Sequence, residues 1–216
     1  GLFRPGTICL NNPCGLNVEV YENDFCTRTF STIDTNTKFG DDLTLGAGAP
    51  CQLTAYELLM RGGQRCVSGR CEITNDFCSI NSPCPPAPPF NARVELWTNN
   101  DRGTPAVDGD DTPLTVIPGT ARDFNGLRAD FTIQRLLVGP FTGIQLPPKV
   151  WMVVTASKDY AGPIFGGLAD IGFSQDGFAI FNDPSGPNAW TFWDLGGFNP
   201  TGCPLGPDCT AAGSFR

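Results

Sequence analysis

The stretch FNARVELWT, residues 90–98, decides the fold class because its apolar and polar side chains alternate with a period of two. The even-numbered residues from 92 to 96 are apolar, whereas Arg93 and Glu95 are charged. Successive side chains of a strand point to opposite faces, so this alternation is typical of a β-strand with one buried face. Trp97 is out of phase with the apolar residues, which predicts that its ring is exposed.

Seven other segments carry strand signals, and clusters of Gly, Pro, Asn and Asp separate them. They are residues 16–20, 39–45, 53–60, 129–138, 150–157, 178–181 and 190–193. No long segment shows the helical period of about 3.6 residues. Short strands with frequent turn residues are typical of antiparallel sandwiches. The sequence therefore predicts an all-β fold, an antiparallel β-sandwich or jelly roll of about eight strands.

Composition excludes several classes of function. The chain of 216 residues has a formal net charge of −8 and lacks the basic surface that nucleic-acid binding requires. Its longest apolar run, residues 150–156, is the length of a strand, so no membrane span is predicted. There is no histidine, which excludes a Ser–His–Asp triad and histidine-ligated metals. We expect no catalytic residues and no cofactor other than a possible calcium ion.

Ten cysteines in a chain without metal-binding spacing predict disulfides and an oxidising compartment outside the cytoplasm. Their even number and local spacing predict that all ten are paired within the chain. The expected pairs are Cys9–Cys14, Cys26–Cys51, Cys66–Cys71, Cys78–Cys84 and Cys203–Cys209. The first two pairs are one of three arrangements that their four cysteines allow.

The domain organisation follows from where the cysteines and prolines fall. Residues 1–29 are predicted to form an N-terminal arm and a first strand, and residues 30–216 the β-sandwich domain. Within that domain, residues 62–89 carry four cysteines and a proline-rich end, and have no room for a core. We interpret them as a disulfide-stapled insertion between two strands, with a semi-rigid proline-rich end.

The first ten residues, GLFRPGTICL, are apolar enough to form a strand. Two alternatives are open for them: insertion into a neighbouring subunit's sheet, or packing against their own domain. Because the chain begins at Gly1 rather than Met, it has the start expected of a processed mature protein.

An acidic loop is the candidate metal site. Asp101, Asp108, Asp110 and Asp111 offer the oxygen ligands that calcium prefers, although their spacing is not that of an EF-hand. The alternative is a solvated acidic turn. The adjacent pair at residues 41–42 would point to opposite faces of a strand, so it is a poor addition to the site.

Aromatic side chains are the candidate glycan-binding residues. Trp97 and Tyr160, with the other tryptophans, are able to stack on the apolar face of a sugar. The alternative is that these rings pack in the core, as most buried aromatics do. Glycoside hydrolysis needs a carboxylate pair, and the five glutamates show no such pattern.

Several stretches resemble a family of secreted bacterial, planctomycete-like extracellular β-sandwich domains of exported surface proteins. The matching stretches are KFGDDLTLGAGAPCQLTAYELLMRG, ARVELWTNNDRGTPAVDGDDTPLTVIPGT, IQLPPKVWMVVTAS, GFSQDGFAIFND and WTFWDLGG, in that order. The resemblance implies a β-sandwich displayed outside the cell, with no established catalytic residues. The cysteine-rich insertion and the cysteine-bearing ends depart from the family pattern, so we expect any specialised function there.

These observations predict a structural subunit of an extracellular assembly, such as a filament or surface layer. Disulfides and β contacts between subunits would hold it, so we expect a homo-oligomer or polymer. The alternative function is a secreted carbohydrate-binding or adhesion module.

Overall fold

The computed structural model describes residues 6–10, 18–22, 29–30, 37–45, 51–101, 103, 111–165, 173–174, 177–181 and 190–194. Every regular element in these ranges is a β-strand, and the strands pair antiparallel. The prediction of an all-β antiparallel fold is therefore confirmed. No helix in this part of the chain has the length and apolar character needed to cross a membrane.

The strands are numbered along the chain. They are β1 (Gly6–Leu10), β2 (Val18–Glu22), β3 (Thr29–Phe30), β4 (Lys38–Thr44), β5 (Cys51–Gly62), β6 (Cys66–Val67), β7 (Arg70–Cys71), β8 (Ala87–Asn100), β9 (Thr112–Val116), β10 (Arg122–Ala129), β11 (Gln134–Val138), β12 (Gln145–Leu146), β13 (Lys149–Ala156), β14 (Ala161–Phe165), β15 (Phe173–Ser174), β16 (Gly177–Phe181) and β17 (Trp190–Asp194). The described residues thus hold more strands than predicted. Five of them, β3, β6, β7, β12 and β15, have only two residues and are too short to show alternation, whereas the longer strands β9, β10 and β14 were missed.

The first sheet is built around β5. Tyr56 pairs with Thr7 of β1 on one edge and with Val138 of β11 on the other. The remaining strands extend these two edges in the order β2-β1-β5-β14-β3, with β11 and β12 paired to β5. A central strand of 12 residues can pair with four partners because each covers only part of its length.

The first strand settles where part of the N-terminal segment lies. Gly6–Leu10 pairs antiparallel with both β2 and β5 of its own chain. Of the two alternatives for residues 1–10, the structure therefore places this strand in its own sheet. Both edges of β1 are paired within the chain, so the other alternative, insertion into a neighbouring subunit's sheet, does not describe these five residues.

The second sheet has the order β10-β8-β13-β4-β16-β17, with β9 paired to β8 and β15 to β4. At its centre, Trp151 of β13 is in register with Trp97 of β8 and with Asp42 of β4. These three residues therefore lie in one row across the sheet.

The two sheets share one hydrophobic cluster. Buried side chains of β5, including Leu53 and Met60, lie in the same cluster as Val94 and Leu96 of β8. Tyr56 is fully buried and its hydroxyl donates a hydrogen bond of 2.7 Å to the Thr120 carbonyl beyond β9. Burial raises the Tyr56 pKa far above its usual value, so the hydroxyl is a neutral donor.

Candidate functional site

The second sheet is apolar on both faces, which the sequence pattern did not predict. Along β13, Val150, Met152 and Val154 belong to the shared cluster, whereas Trp151 and Val153 form a second cluster with Trp97. We call the face that carries the second cluster the tryptophan face. A Cβ at Gly40 would lie 3.3 Å from Trp151 Cε3 and 3.4 Å from Pro113 Cγ, so β9 lies across this face.

Both candidate glycan-binding rings are buried. Trp97 is 9% exposed, and its indole N–H donates to Glu95 while the Lys38 ammonium lies 4.6 Å from its ring centroid. Tyr160 is 8% exposed and donates to the Pro88 carbonyl. The prediction that Trp97 is exposed is therefore wrong. The odd-numbered side chains of β8 near Trp97 also face a packed layer, although the sequence alternation suggested that this face is solvated. Neither ring offers a platform on which a sugar could stack.

Glu95 is the charged centre of one end of the tryptophan face. Its buried carboxylate accepts hydrogen bonds from Arg93 Nε at 2.7 Å and Trp97 Nε1 at 3.0 Å, and pairs with Lys38 at 3.5 Å. Burial by itself raises the Glu95 pKa, but the hydrogen bond from Arg93, the Lys38 charge and the indole N–H outweigh it. The pKa of Glu95 is therefore lowered.

This lowered pKa predicts a specific pH dependence of stability. A carboxylate with a folded pKa below its unfolded value stabilises the fold above the unfolded pKa of about 4.3, and loses that contribution as pH falls through the folded pKa. We expect Glu95→Gln to lower the free energy of unfolding more at pH 7 than near pH 3, as measured by urea unfolding at both values. Glu72→Gln, at an exposed carboxylate, is the control. An equal loss at both pH values would contradict the prediction.

The other end of the tryptophan face holds a buried polar cluster, which we call the Lys149 cluster: Asp42, Asn99, Asp111, Lys149 and Trp151. Lys149 Nζ lies 3.2 Å from Asp42 Oδ2 and 2.5 Å from Asp111 Oδ2. The side chains of Asp42 and Asp111 are 0% and 4% exposed. Two carboxylates from distant segments therefore share one ammonium group away from solvent.

Hydrogen bonds orient the remaining members of the Lys149 cluster. Trp151 Nε1 donates to Asn99 Oδ1 at 2.7 Å, and Asn99 Nδ2 donates to Asp111 Oδ2 at 2.9 Å. Since an indole N–H can only donate, the Asn99 oxygen must face Trp151 and its amide nitrogen must face Asp111. The second oxygen of Asp111, Oδ1, is buried and accepts no hydrogen bond from the residues that the structure describes.

The four aspartates of the predicted calcium site lie in different surroundings. Asp101 is exposed and accepts a hydrogen bond from the Gly103 N–H, as in a local turn. Asp111 is buried against Lys149, which already supplies a positive charge. Asp108 and Asp110 lie outside the described residues, so calcium binding by the loop stays a prediction. Sequence reasoning missed Lys149, which begins the apolar strand β13, and it set Asp42 aside as half of an adjacent pair on a strand.

The cysteine-rich insertion has a different disulfide pattern from the one predicted. Cys66 bonds to Cys78 and Cys71 bonds to Cys84, with Cα–Cα distances of 5.8 and 5.6 Å. The predicted pairs Cys66–Cys71 and Cys78–Cys84 are therefore wrong. These two disulfides indicate an oxidising environment outside the cytoplasm. The pairs predicted for the other six cysteines, from Cys9–Cys14 to Cys203–Cys209, involve side chains outside the described residues.

Chain reversal within the insertion explains the interleaved pairing. β6 and β7 form a hairpin whose turn residues, Ser68 and Gly69, have φ values of 51° and 79°. Two positive φ values are typical of the type I′ turn that suits a two-residue hairpin. The chain then folds back so that the Cys78 N–H donates to the Gly69 carbonyl. This third segment brings Cys78 to Cys66 and leaves Cys71 for Cys84.

A buried glutamine links the beginning, middle and end of the insertion. Gln64 is 2% exposed, and its Oε1 accepts hydrogen bonds from the N–H groups of Ile73 and Thr74. Its Nε2 donates to the Pro85 carbonyl at 2.8 Å. Together with the disulfides, these contacts hold the insertion in one shape.

This shape displays apolar side chains to solvent. Phe77 is 78% exposed and Ile80 is 98% exposed, and Val67 and Ile73 on the same insertion are 50% and 37% exposed. The Arg70 guanidinium lies 3.4 Å from the Phe77 ring centroid, which fixes one edge of this apolar surface. Exposed apolar groups that cluster on one rigid element are typical of an interaction surface.

Comparison with known proteins gives no relative from which a function could be transferred. No protein-family model, curated protein or solved structure matches this chain.

Proposed function

We propose that this chain is a structural subunit of an extracellular assembly, such as a filament or surface layer, and that the cysteine-rich insertion is one of its contact surfaces. The observation that carries the proposal is the insertion itself. Two disulfides and the Gln64 hydrogen bonds hold a segment that exposes Phe77 and Ile80. A surface that is already ordered loses little conformational entropy when it binds.

The N-terminal strand β1 supports this proposal because it is a poor candidate for the subunit contact. Gly6–Leu10 lies between two strands of its own sheet, so it has no free edge to offer to a neighbour. The cysteine-rich insertion is therefore favoured over this strand as the contact surface. An oxidising compartment agrees with a location outside the cell.

The alternative function as a carbohydrate-binding or adhesion module has less support. Such a module needs flat aromatic rings at the surface, and Trp97, Trp151 and Tyr160 are all buried. The side chains of Trp190 and Trp193 lie outside the described residues.

The test is a surface substitution that leaves the core untouched. We expect Phe77→Ser/Ile80→Ser to abolish polymers of the full-length chain, because burying two large side chains contributes roughly 1.5–3 kcal/mol each to a contact. Negative-stain microscopy and sedimentation velocity at matched concentrations measure the change. The control is Leu114→Ser/Leu137→Ser, two exposed leucines outside the insertion that are 58% and 61% exposed.

Two results would contradict the proposal in different ways. If the wild-type chain stays monomeric at high concentration, the structural role is wrong. If both double variants polymerise like the wild type, the chain assembles through another surface and the insertion is not the joint.

A further inference from the structure

We propose that Lys149 and Asp111 form an intramolecular isopeptide bond, a modification that the chain catalyses on itself with Asp42 as the acid–base group. The amine nitrogen lies 2.5 Å from Asp111 Oδ2 and 3.2 Å from Asp42 Oδ2. A nucleophile held against an acyl group, beside a second carboxyl group that can move a proton, is what amide condensation requires. This inference rests on the Lys149 cluster alone and is independent of the proposed assembly.

Burial favours the reaction. The side chains of Lys149, Asp42 and Asp111 are 16%, 0% and 4% exposed. The two carboxylates and the ammonium group lie in a poorly solvated place, where desolvation penalises each ion. Amide formation removes one charge of each sign from the site. Low access of water also protects the product from hydrolysis.

Asp111 is better placed than Asp42 to supply the acyl group. Asn99 Nδ2 donates to Asp111 Oδ2 at 2.9 Å, so it holds in place the oxygen that leaves as water. The other oxygen, Oδ1, is buried, and no donor in the described part of the chain reaches it. As a neutral amide carbonyl oxygen, it would be less costly to bury than as part of a carboxylate.

Trp151 is a positioning residue. Its indole N–H holds Asn99 Oδ1 at 2.7 Å, which turns the Asn99 amide nitrogen toward Asp111. Because the ring is fully buried in the sheet, this orientation is fixed before any reaction.

The step balances without any co-reactant. One proton transfer within the ion pair gives the neutral Lys149 amine and the neutral Asp111 carboxylic acid. The Nζ lone pair attacks Cγ of Asp111, and the Asp42 carboxylate accepts one proton from the nitrogen. Asp42 then delivers that proton to the hydroxyl group at Oδ2, the Cγ–Oδ2 bond breaks, and one water molecule leaves. Asp42 ends as it began, and nothing is oxidised or reduced.

The bond would join two segments of the second sheet. Asp111 directly precedes β9, and Lys149 is the first residue of β13, 38 positions later. It would therefore tie β9 covalently to a central strand of the sheet. Unlike the disulfides, this link would survive reducing agents.

The experiment is the intact mass of the full-length chain after denaturation and complete reduction of its disulfides. We expect a mass below that of the sequence by one water molecule. In Asp111→Asn the same attack would release ammonia, so its product should have the same mass as the wild-type product. A wild-type chain at its full sequence mass would overturn the proposal. Loss of ammonia in place of water from the wild type would do so too, because condensation of Lys149 with Asp111 releases water.

Loss of one water molecule can also come from an Asp–Gly sequence that cyclises to a succinimide, so this reaction must be distinguished from formation of the isopeptide bond. Lys149→Arg keeps the positive charge but lacks the amine nucleophile, so it should keep its full mass. The same loss in this variant would refute the bond. Asp42→Asn should react more slowly than the wild type, and an unchanged rate would refute its acid–base role.

Peptide mapping of the wild type decides the matter even where a variant fails to fold. We expect a branched peptide that joins the segment around Lys149 to the segment around Asp111. Recovery of only linear peptides from both segments would overturn the proposal.

Discussion

Replacing Lys149 by Met is expected to lower the free energy of unfolding by about 3–5 kcal/mol, the usual cost of breaking a buried ion pair by removing one partner. The substitution keeps most of the side-chain volume but leaves Asp42 and Asp111 without the ammonium group that they share. Their exposed fractions of 0% and 4% allow little compensation by solvent. Urea unfolding at neutral pH, with the m-value checked for constancy, measures the change.

Two further variants distinguish the contribution of the Lys149 charge to stability from the contribution of the proposed isopeptide bond. Lys149→Arg keeps the charge, so it should retain more stability than Lys149→Met if the ionic contribution dominates. If Lys149→Arg and Lys149→Met lower the free energy of unfolding equally, the loss comes instead from the missing isopeptide bond. Adding Asp42→Asn to Lys149→Met removes one of the two carboxylates that have lost the Lys149 ammonium group, and it should recover part of the stability. A loss below about 1 kcal/mol for Lys149→Met, as in a surface pair, would contradict the buried cluster.

The sequence was enough to predict the strands that carry the shared core. The alternation around Val94 and Leu96 and the apolar run from Val150 onward both lie in the core-forming strands β8 and β13. The same reasoning failed for Trp97, because it assumed that only one face of the sheet is buried. Alternation tells which residues share a face, but the layer that covers the second face depends on where β9 lies.

The Lys149 cluster shows a different limit of prediction from sequence. Asp111 and Lys149 are 38 positions apart, and Asp42 comes from a third strand. Only the order of β4, β13 and β8 in the sheet, with β9 across its face, brings the three side chains together. Neighbouring aspartates in the sequence suggested calcium, whereas the fold gives Asp111 a lysine as its partner.

The predicted disulfide pairing of the insertion was wrong for a related reason. Pairing each cysteine with its nearest neighbour overlooks the chain reversal that follows β7, so the bonded pairs are 12 and 13 positions apart. Closing loops of this length reduces the entropy of the open chain by an amount worth about 3 kcal/mol for each bond. Partial proteolysis without reduction, followed by mass mapping, should recover peptides that contain the Cys66–Cys78 and Cys71–Cys84 links.

Cys71→Ser/Cys84→Ser is expected to open the insertion while the two large sheets stay folded. Cys71 is 2% exposed, so its loss removes a buried contact as well as the bond to the segment before β8. Amide hydrogen exchange in residues 64–86 should rise by about two orders of magnitude, as roughly 3 kcal/mol of local stability implies. Exchange in β13 should not change, because its bonds join it to β4 and β8.

Cys66→Ser/Cys78→Ser is the matched variant, since it removes a bond of nearly equal loop length that starts from an exposed cysteine. We expect it to loosen the β6–β7 hairpin and the segment after it that carries Phe77, with less effect on Gln64 and its partners. If the insertion is the subunit contact, both variants should weaken assembly, because an insertion that lacks a disulfide is more flexible and loses more conformational entropy on binding. Unchanged exchange in residues 64–86 of both variants would mean that the hydrogen bonds alone hold the insertion, and the disulfides would then not account for its rigidity.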